Sequence, residues 1–95
     1  MHYVYVLRSE IDPDRFYVGA TEDLRRRFAQ HNKGSSIHTA KHRPWKLVWY
    51  GGFRDEATAL RFETYLKTAS GRRFQKRFLS EATESPHVSR RPAEG

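Results

Sequence analysis

Residues 2–8 (His-Tyr-Val-Tyr-Val-Leu-Arg) are β-branched and aromatic, which predicts a strand. Residues 9–14 hold Asp12, Pro13 and Asp14 and read as a turn. Residues 15–20 (Arg-Phe-Tyr-Val-Gly-Ala) predict a second strand, antiparallel to the first. Gly19 near its end signals close approach of another group to the backbone. Thr21 is the expected N-cap of a helix carrying Glu22 and Asp23 in its first turn. Leu24 and Phe28, one turn apart, give that helix a narrow apolar face, and Gly34 ends it. Residues 35–44 read as a loop. Residues 45–53 alternate and are aromatic, so they predict a third strand, with Gly51 and Gly52 marking a bulge or its end. Asp55 caps a second helix expected to run to about Ala69, with Ala59, Phe62, Leu66 and Ala69 as its stripe. Gly71 is the expected stop. Residues 72–79 predict a short third helix with Phe74 and Phe78 one turn apart. No internal repeat is visible. The order ββαβαα predicts an α+β fold, a small antiparallel three-stranded sheet packed by helices. The expected domain is residues 1–80. Ser, Pro, Glu and Ala dominate residues 81–95, an expected flexible tail.

The length of 95 residues fits one domain. Such a chain buries only about 60% of its unfolded surface, so its core has to be compact. Six Phe, five Tyr and two Trp supply one, which argues against disorder for the body of the chain. The absence of Cys excludes a disulfide scaffold, a thiolate zinc site and a Cys nucleophile. It is compatible with a reducing compartment, and a cytoplasmic location is expected. No apolar run approaches the roughly 20 residues of a membrane span, so no membrane association is expected.

The net charge of +7 becomes informative when divided along the chain. Residues 24–54 carry eight Lys or Arg and no acid, and residues 64–80 carry five and no acid. A phosphate backbone is the usual partner of such a surface, although a solvated face that aids solubility has the same composition. Trp45, Trp49, Tyr50, Phe74 and Phe78 are interleaved with the cations. At strand and helix spacings they suit a core better than base stacking.

Three groups of residues carry candidate chemistry. Arg27 and His31 are four apart and share a helix face, suited to hold a phosphate through a guanidinium fork and an imidazole. The plain alternative is a surface pair in which Asp23 bridges to Arg27. Glu63 follows Phe62 and precedes Leu66, which places a carboxylate at the edge of the core-facing side of the second helix. It needs a partner there: a salt bridge to Arg61 or Lys67, or a hydrated divalent cation. Tyr5 and Tyr17 lie on adjacent predicted strands and share a face if the register allows. A phenol becomes a base only when cations depress its pKa. The five His show neither HExxH nor zinc-knuckle spacing, and there is no P-loop or G-x-S-x-G.

In order, Tyr3-Val4-Tyr5, then Tyr17-Val18-Gly19, Arg27 eight residues later, His31 four further on, and Glu63 on a later helix form one pattern. That pattern resembles the GIY-YIG nuclease superfamily over residues 2 to about 80. It looks most like small single-domain proteins similar to the N-terminal nuclease domain of a DNA excinuclease. The resemblance implies a divalent-metal-dependent endonuclease acting on DNA phosphodiesters, structure-selective and related to repair. Tyr5 and Tyr17 would flank the phosphate, with Tyr5 favoured to activate or position the attacking water. Arg27 would neutralise charge on the phosphate, His31 would orient the nucleophile or the phosphate, and Glu63 would bind one Mg²⁺ or Mn²⁺. Gly19, Arg26, Lys41, Arg43, Lys67, Arg72 and Arg73 are the expected nucleic-acid contacts. Two positions depart from the pattern: Tyr3 replaces the first glycine, and Gln75 stands where many members carry Asn. Related nucleases often take specificity from fused domains, so a protein partner is a further expectation. Two rival readings remain: a module of the same fold that binds nucleic acid without cutting, and a protein–protein adaptor.

Overall fold

A computed structural model describes residues 1–79. The expected tail, residues 81–95, lies outside the described residues. The elements are β1 (His2–Ser9), β2 (Phe16–Thr21), α1 (Leu24–Lys33), β3 (Trp45–Phe53), α2 (Glu56–Leu66) and α3 (Ala69–Phe78), with one turn of 3₁₀ helix at Ala40–His42. The sheet has three antiparallel strands in the order β2-β1-β3. This is the predicted α+β class and the predicted order. No helix among the described residues is long and apolar enough to cross a membrane.

β1 is central, and its residues from Val4 to Ser9 are all buried. A strand covered on both faces reads as a continuous apolar run, and that is how β1 reads. Val4 and Val6 face α2 and α3 and pack with Val18, Ala59, Leu66 and Leu79. Tyr5 and Leu7 face the other way and pack with Trp45, Tyr17, Leu24 and Phe28. The helices thus cover both faces, α1 on one and the α2–α3 pair on the other.

The bulge falls elsewhere than expected. Val6 pairs with Trp49 and Leu7 with Leu47, so Val48 is the extra residue. Strict alternation would set Trp45, Leu47, Trp49 and Phe53 on one face. The bulge divides them: Trp45 and Leu47 pack beside Tyr5, while Trp49 and Phe53 pack against Phe62 of α2. Gly51 is not the bulge. It leaves room for the Trp49 ring, which a Cβ there would meet at 2.8 Å.

The helix ends also correct the sequence reading. Asp23, not Thr21, caps α1, its carboxylate accepting from Arg26 N at 3.1 Å. Thr21 instead accepts from Asp23 N at 3.1 Å, so Glu22 and Asp23 precede the helix. Gly34 closes α1 at φ +85°, as expected. Asp55 caps α2 through Thr58 N at 3.1 Å, as expected. However, α2 stops at Leu66, and Ala69 belongs to α3. The Thr68 hydroxyl donates to Tyr65 O at 2.6 Å and accepts from Gly71 N at 3.2 Å, closing one helix and opening the next.

Gly71 therefore stops nothing. It sits buried in the first turn of α3, where a Cβ would run into Tyr65 O and the Leu66 Cα. Ala normally stabilises a helix interior by about 0.8–1 kcal/mol over Gly. Backbone cannot move aside as a flexible side chain can, so here the sign reverses. Gly71→Ala is expected to destabilise the domain by about 1–3 kcal/mol in urea unfolding.

Candidate active site

The site grows from Tyr5 in the middle of β1. Its cross-strand partner is Gly19, and a Cβ on Gly19 would strike the Tyr5 hydroxyl and ring, meeting Cζ at 2.6 Å. The close approach signalled by Gly19 is thus made by the protein's own phenol. Gly19 is buried beneath it. Tyr17 pairs across from Leu7, so both tyrosines share one face, their rings 6.3 Å apart.

Tyr5 is 1% exposed and His31 is fully buried. A phenol so buried needs a polar partner. The Tyr5 hydroxyl is hydrogen-bonded to His31 Nε2 at 2.8 Å. The other nitrogen, Nδ1, is hydrogen-bonded to the Thr39 hydroxyl at 2.8 Å. Tyr17 lies over the imidazole at 4.9 Å. Burial first, and then the Arg27 charge, push His31 down to about 4, so it is neutral at pH 7. Burial, with neighbouring Tyr17, pushes the Tyr5 phenol up to about 12. Against this, the Arg27 guanidinium favours the ionised phenol, whereas the Glu63 carboxylate disfavours it. Tyr5, Tyr17, Arg27, His31 and Glu63 are therefore brought within one electrostatic neighbourhood.

Arg27 is half-buried, and its Nη1 donates to Gln30 Oε1 at 3.0 Å. The bridge to Asp23 is not formed through side chains, because that carboxylate caps the helix. Glu63, 19% exposed, accepts from Lys67 Nζ at 3.1 Å. Among the described residues no group of three or more His, Cys, Asp or Glu could hold a metal. Gln75 is buried and donates to Leu66 O at 2.7 Å, so its amide caps the end of α2. Beside Tyr17 a cleft of about 570 Å³ opens between β2 and α3, its charged lining Arg15, Lys67, Arg72 and Lys76 with Asp12 and Asp14.

The family model described as the GIY-YIG catalytic domain matches residues 1–77. The chain belongs to the GIY-YIG family. A UPF0213 protein of Streptococcus pneumoniae serotype 4 is 39% identical over 80 residues, covering 83% of this chain and 78% of that protein. The solution NMR structure of a UPF0213 protein from Bacillus halodurans superposes with a TM-score of 0.50 at 26% identity, covering 84% of this chain and 86% of that one. The structure-specific endonuclease subunit SLX1 of Podospora anserina is 38% identical over 69 residues, 66% of this chain. This chain spans only 20% of that SLX1.

The six basic residues expected to contact nucleic acid divide into two groups. Arg26, Lys41 and Arg72 are exposed, and their side chains make no hydrogen bond or ion pair with described residues. Lys67 is held by Glu63, and Arg73 donates to Ser70 Oγ at 3.2 Å. Arg43 donates to Ala40 O at 2.8 Å and lies against Gly34. Of the interleaved aromatics, Tyr50 and Phe78 are exposed and Trp45 is buried.

Two contributors escaped the sequence reading. Thr39 sits in what reads as plain loop. Asn32 holds the start of β3 to α1, donating to Trp45 O at 3.1 Å and accepting from Trp45 N at 2.6 Å. Its place immediately after His31 is the one signal that could have drawn notice.

Burial at this site has consequences for stability. Gly19→Ala is expected to displace the Tyr5 ring and cost about 1–3 kcal/mol in thermal unfolding. His31, ordinarily near 6.5, has its folded value lowered to about 4. Its stabilisation is therefore full above pH 6.5 and is lost as pH falls towards 4, by on the order of 3 kcal/mol. Urea unfolding of the wild type and of His31→Gln between pH 7 and pH 4 should show a shallower loss in the variant.

Proposed function

We propose that this domain is a divalent-metal-dependent endonuclease that hydrolyses DNA phosphodiester bonds. The observation that carries the reading is the Tyr5 hydroxyl locked on a buried, neutral His31, with Arg27 and Glu63 acting on the same phenol. Family membership supports the reaction class.

The donor set fits a single hydrated cation. Mg²⁺ keeps several waters and takes one or two carboxylates plus substrate phosphate oxygens, which a lone, half-buried Glu63 satisfies. Glu63 would hold the ion. When bound, Mg²⁺ or Mn²⁺ supplies Lewis-acid stabilisation of the phosphate and the departing oxygen. The chain's own residues do the rest. Arg27 neutralises charge that builds on the scissile phosphate. His31, uncharged, fixes the Tyr5 hydroxyl. Tyr5 is protonated at pH 7 in the substrate-free domain, so at rest it orients water and does not take its proton. Tyr17, whose hydroxyl bonds to no described residue, stands ready to contact the phosphate or the water.

The name "structure-specific endonuclease subunit" of the SLX1 relatives supports branched, flapped or nicked DNA as substrate, a repair-related role, and a partner protein that supplies specificity. On the walls of the cleft beside Tyr17 the cations Arg15, Lys67, Arg72 and Lys76 outnumber the carboxylates Asp12 and Asp14, which favours a phosphate backbone there.

The test is nicking of flapped, branched and nicked duplexes with Mg²⁺ or Mn²⁺. Wild type is expected to nick and Glu63→Ala to lose at least 100-fold in rate, the order of one essential electrostatic group. The fold should survive, because the lost Glu63–Lys67 pair contributes only about 0.3–0.5 kcal/mol. Equal nicking by the variant would remove Glu63 from the mechanism. Salt-sensitive binding with no cleavage under any condition would favour the non-cleaving module.

A further inference from the structure

Lys67 is the C-cap residue of α2, one helical turn beyond Glu63, and a lysine four residues after a glutamate is the favoured order for a helical ion pair. Its Nζ donates to Glu63 Oε2 at 3.1 Å. The same residue lines the cleft beside Tyr17. One side chain therefore touches both the carboxylate that would hold the cation and the cleft that would take the backbone.

These two engagements compete. Lysine carries a single point charge on a flexible four-carbon stem. Seated on Glu63, that charge is answered by a carboxylate. If Lys67 left for a phosphate, it would strand the Glu63 carboxylate beside the incoming phosphate as a like charge. A divalent cation on Glu63 reverses the balance. It neutralises the carboxylate, and it is itself a like charge to the ammonium at short range. The existing pair offers little resistance, because the Lys67 side chain is 55% exposed and exposed pairs of this kind are weak. The other cations lining the cleft behave differently. Arg15 is paired with Asp12 at 3.6 Å, whereas Arg72 and Lys76 form no ion pair with a described residue. Arg72 and Lys76 are available with or without a cation at Glu63.

We propose that Lys67 is a nucleic-acid contact conditional on the metal: it gives up Glu63 to a divalent cation and turns to bind a phosphate of the DNA strand in the cleft. This rests on the reading of Glu63 as the cation's ligand and of the cleft as the path of the backbone. Cation and DNA then strengthen each other's binding by the same factor, since coupling between two sites is reciprocal. Without the cation, the domain holds DNA with one phosphate contact fewer.

The experiment measures binding of the full chain to a flapped duplex across a range of salt concentrations, with Ca²⁺ and with a chelator. Ca²⁺ takes oxygen ligands as Mg²⁺ does and serves as the probe ion. The proteins are wild type, Lys67→Met and Lys76→Met. With Ca²⁺, the salt dependence of Lys67→Met should be shallower than that of wild type by about 0.9, the share of one phosphate contact. With the chelator the two should agree. Lys76→Met, which removes a cation of the same cleft that does not touch Glu63, should be shallower by the same amount in both conditions. In the absence of DNA, Mn²⁺ should bind Lys67→Met about twofold more tightly than wild type, the factor set by loss of a weak competing pair. A slope changed equally in both conditions by Lys67→Met, or changed in neither, overturns the proposal and leaves Glu63 as the metal ligand. So does an Mn²⁺ affinity that Lys67→Met does not raise. Mn²⁺ bound equally by wild type and Glu63→Ala removes Glu63 as the ligand, and the metal reading and the proposal fall together.

Discussion

The hydrogen bond between Tyr5 and His31 sets the terms for the rest of this domain. Tyr5 stands at the centre of a strand covered on both faces, where an unpartnered hydroxyl costs about 1–3 kcal/mol. Meeting that need fixes much else. Residue 19 has to be glycine, since the phenol occupies the place of its Cβ. α1 has to present its last turn to the sheet, and Asn32 fastens it there by pairing with both backbone groups of Trp45. The following segment has to fold under His31 to satisfy its second nitrogen, and Trp45 secures that segment through Thr39 O. One buried hydroxyl thus ties the first strand to the first helix and the third strand.

Burial also decides the electrostatics. A charged imidazole in this place would lose its water and face Arg27, so His31 stays neutral. Neutrality makes it useful as a fixed dipole beside the phenol. Arg27 and Glu63 act on that phenol with opposite sign, and Lys67 holds the Glu63 carboxylate by a contact four residues on. Lys67 is largely exposed and its pairing with Glu63 is weak, so a cation arriving at Glu63 competes with a partner that is easily displaced. A fully buried ion pair would resist such exchange.

Much of this was legible in the sequence, for identifiable reasons. The strands announce themselves because β-branched and aromatic residues alternate with little else. Asp55 and Gly34 act through local hydrogen bonding and local backbone freedom, which need no knowledge of the tertiary fold. The five candidate residues stood out through their order and spacing, and the structure brings Tyr5, Tyr17 and His31 into contact. What escaped depends on contacts between distant segments. Gly71 looks like a helix stop because glycine usually is one; its actual reason is the backbone of Tyr65 and Leu66 pressed against it. The bulge at Val48 carries no glycine, and only the need to send Trp45 and Trp49 to opposite faces requires it. Thr39 resembles any loop threonine until His31 is folded over it.

The surplus of positive charge looks different once each cation has its place. On the sequence, the two acid-free stretches read as a basic surface suited to a phosphate backbone. In the structure, Arg43 and Arg73 are tied to nearby groups of the chain itself and Lys67 to Glu63. Arg26, Lys41 and Arg72 remain exposed, with Arg72 on the wall of the cleft that opens beside Tyr17. A uniform basic surface would hold DNA in many registers, since phosphate contacts carry no sequence information. Arg72 and Lys76 on the wall of that cleft would give a backbone defined points of contact. Cleavage by the proposed mechanism would add a stricter demand, because the phosphate would have to meet Arg27 and the phenols within hydrogen-bonding distance. The buried Tyr5–His31–Thr39 chain, formed in the course of satisfying a buried hydroxyl, holds the phenol rigidly enough for that demand.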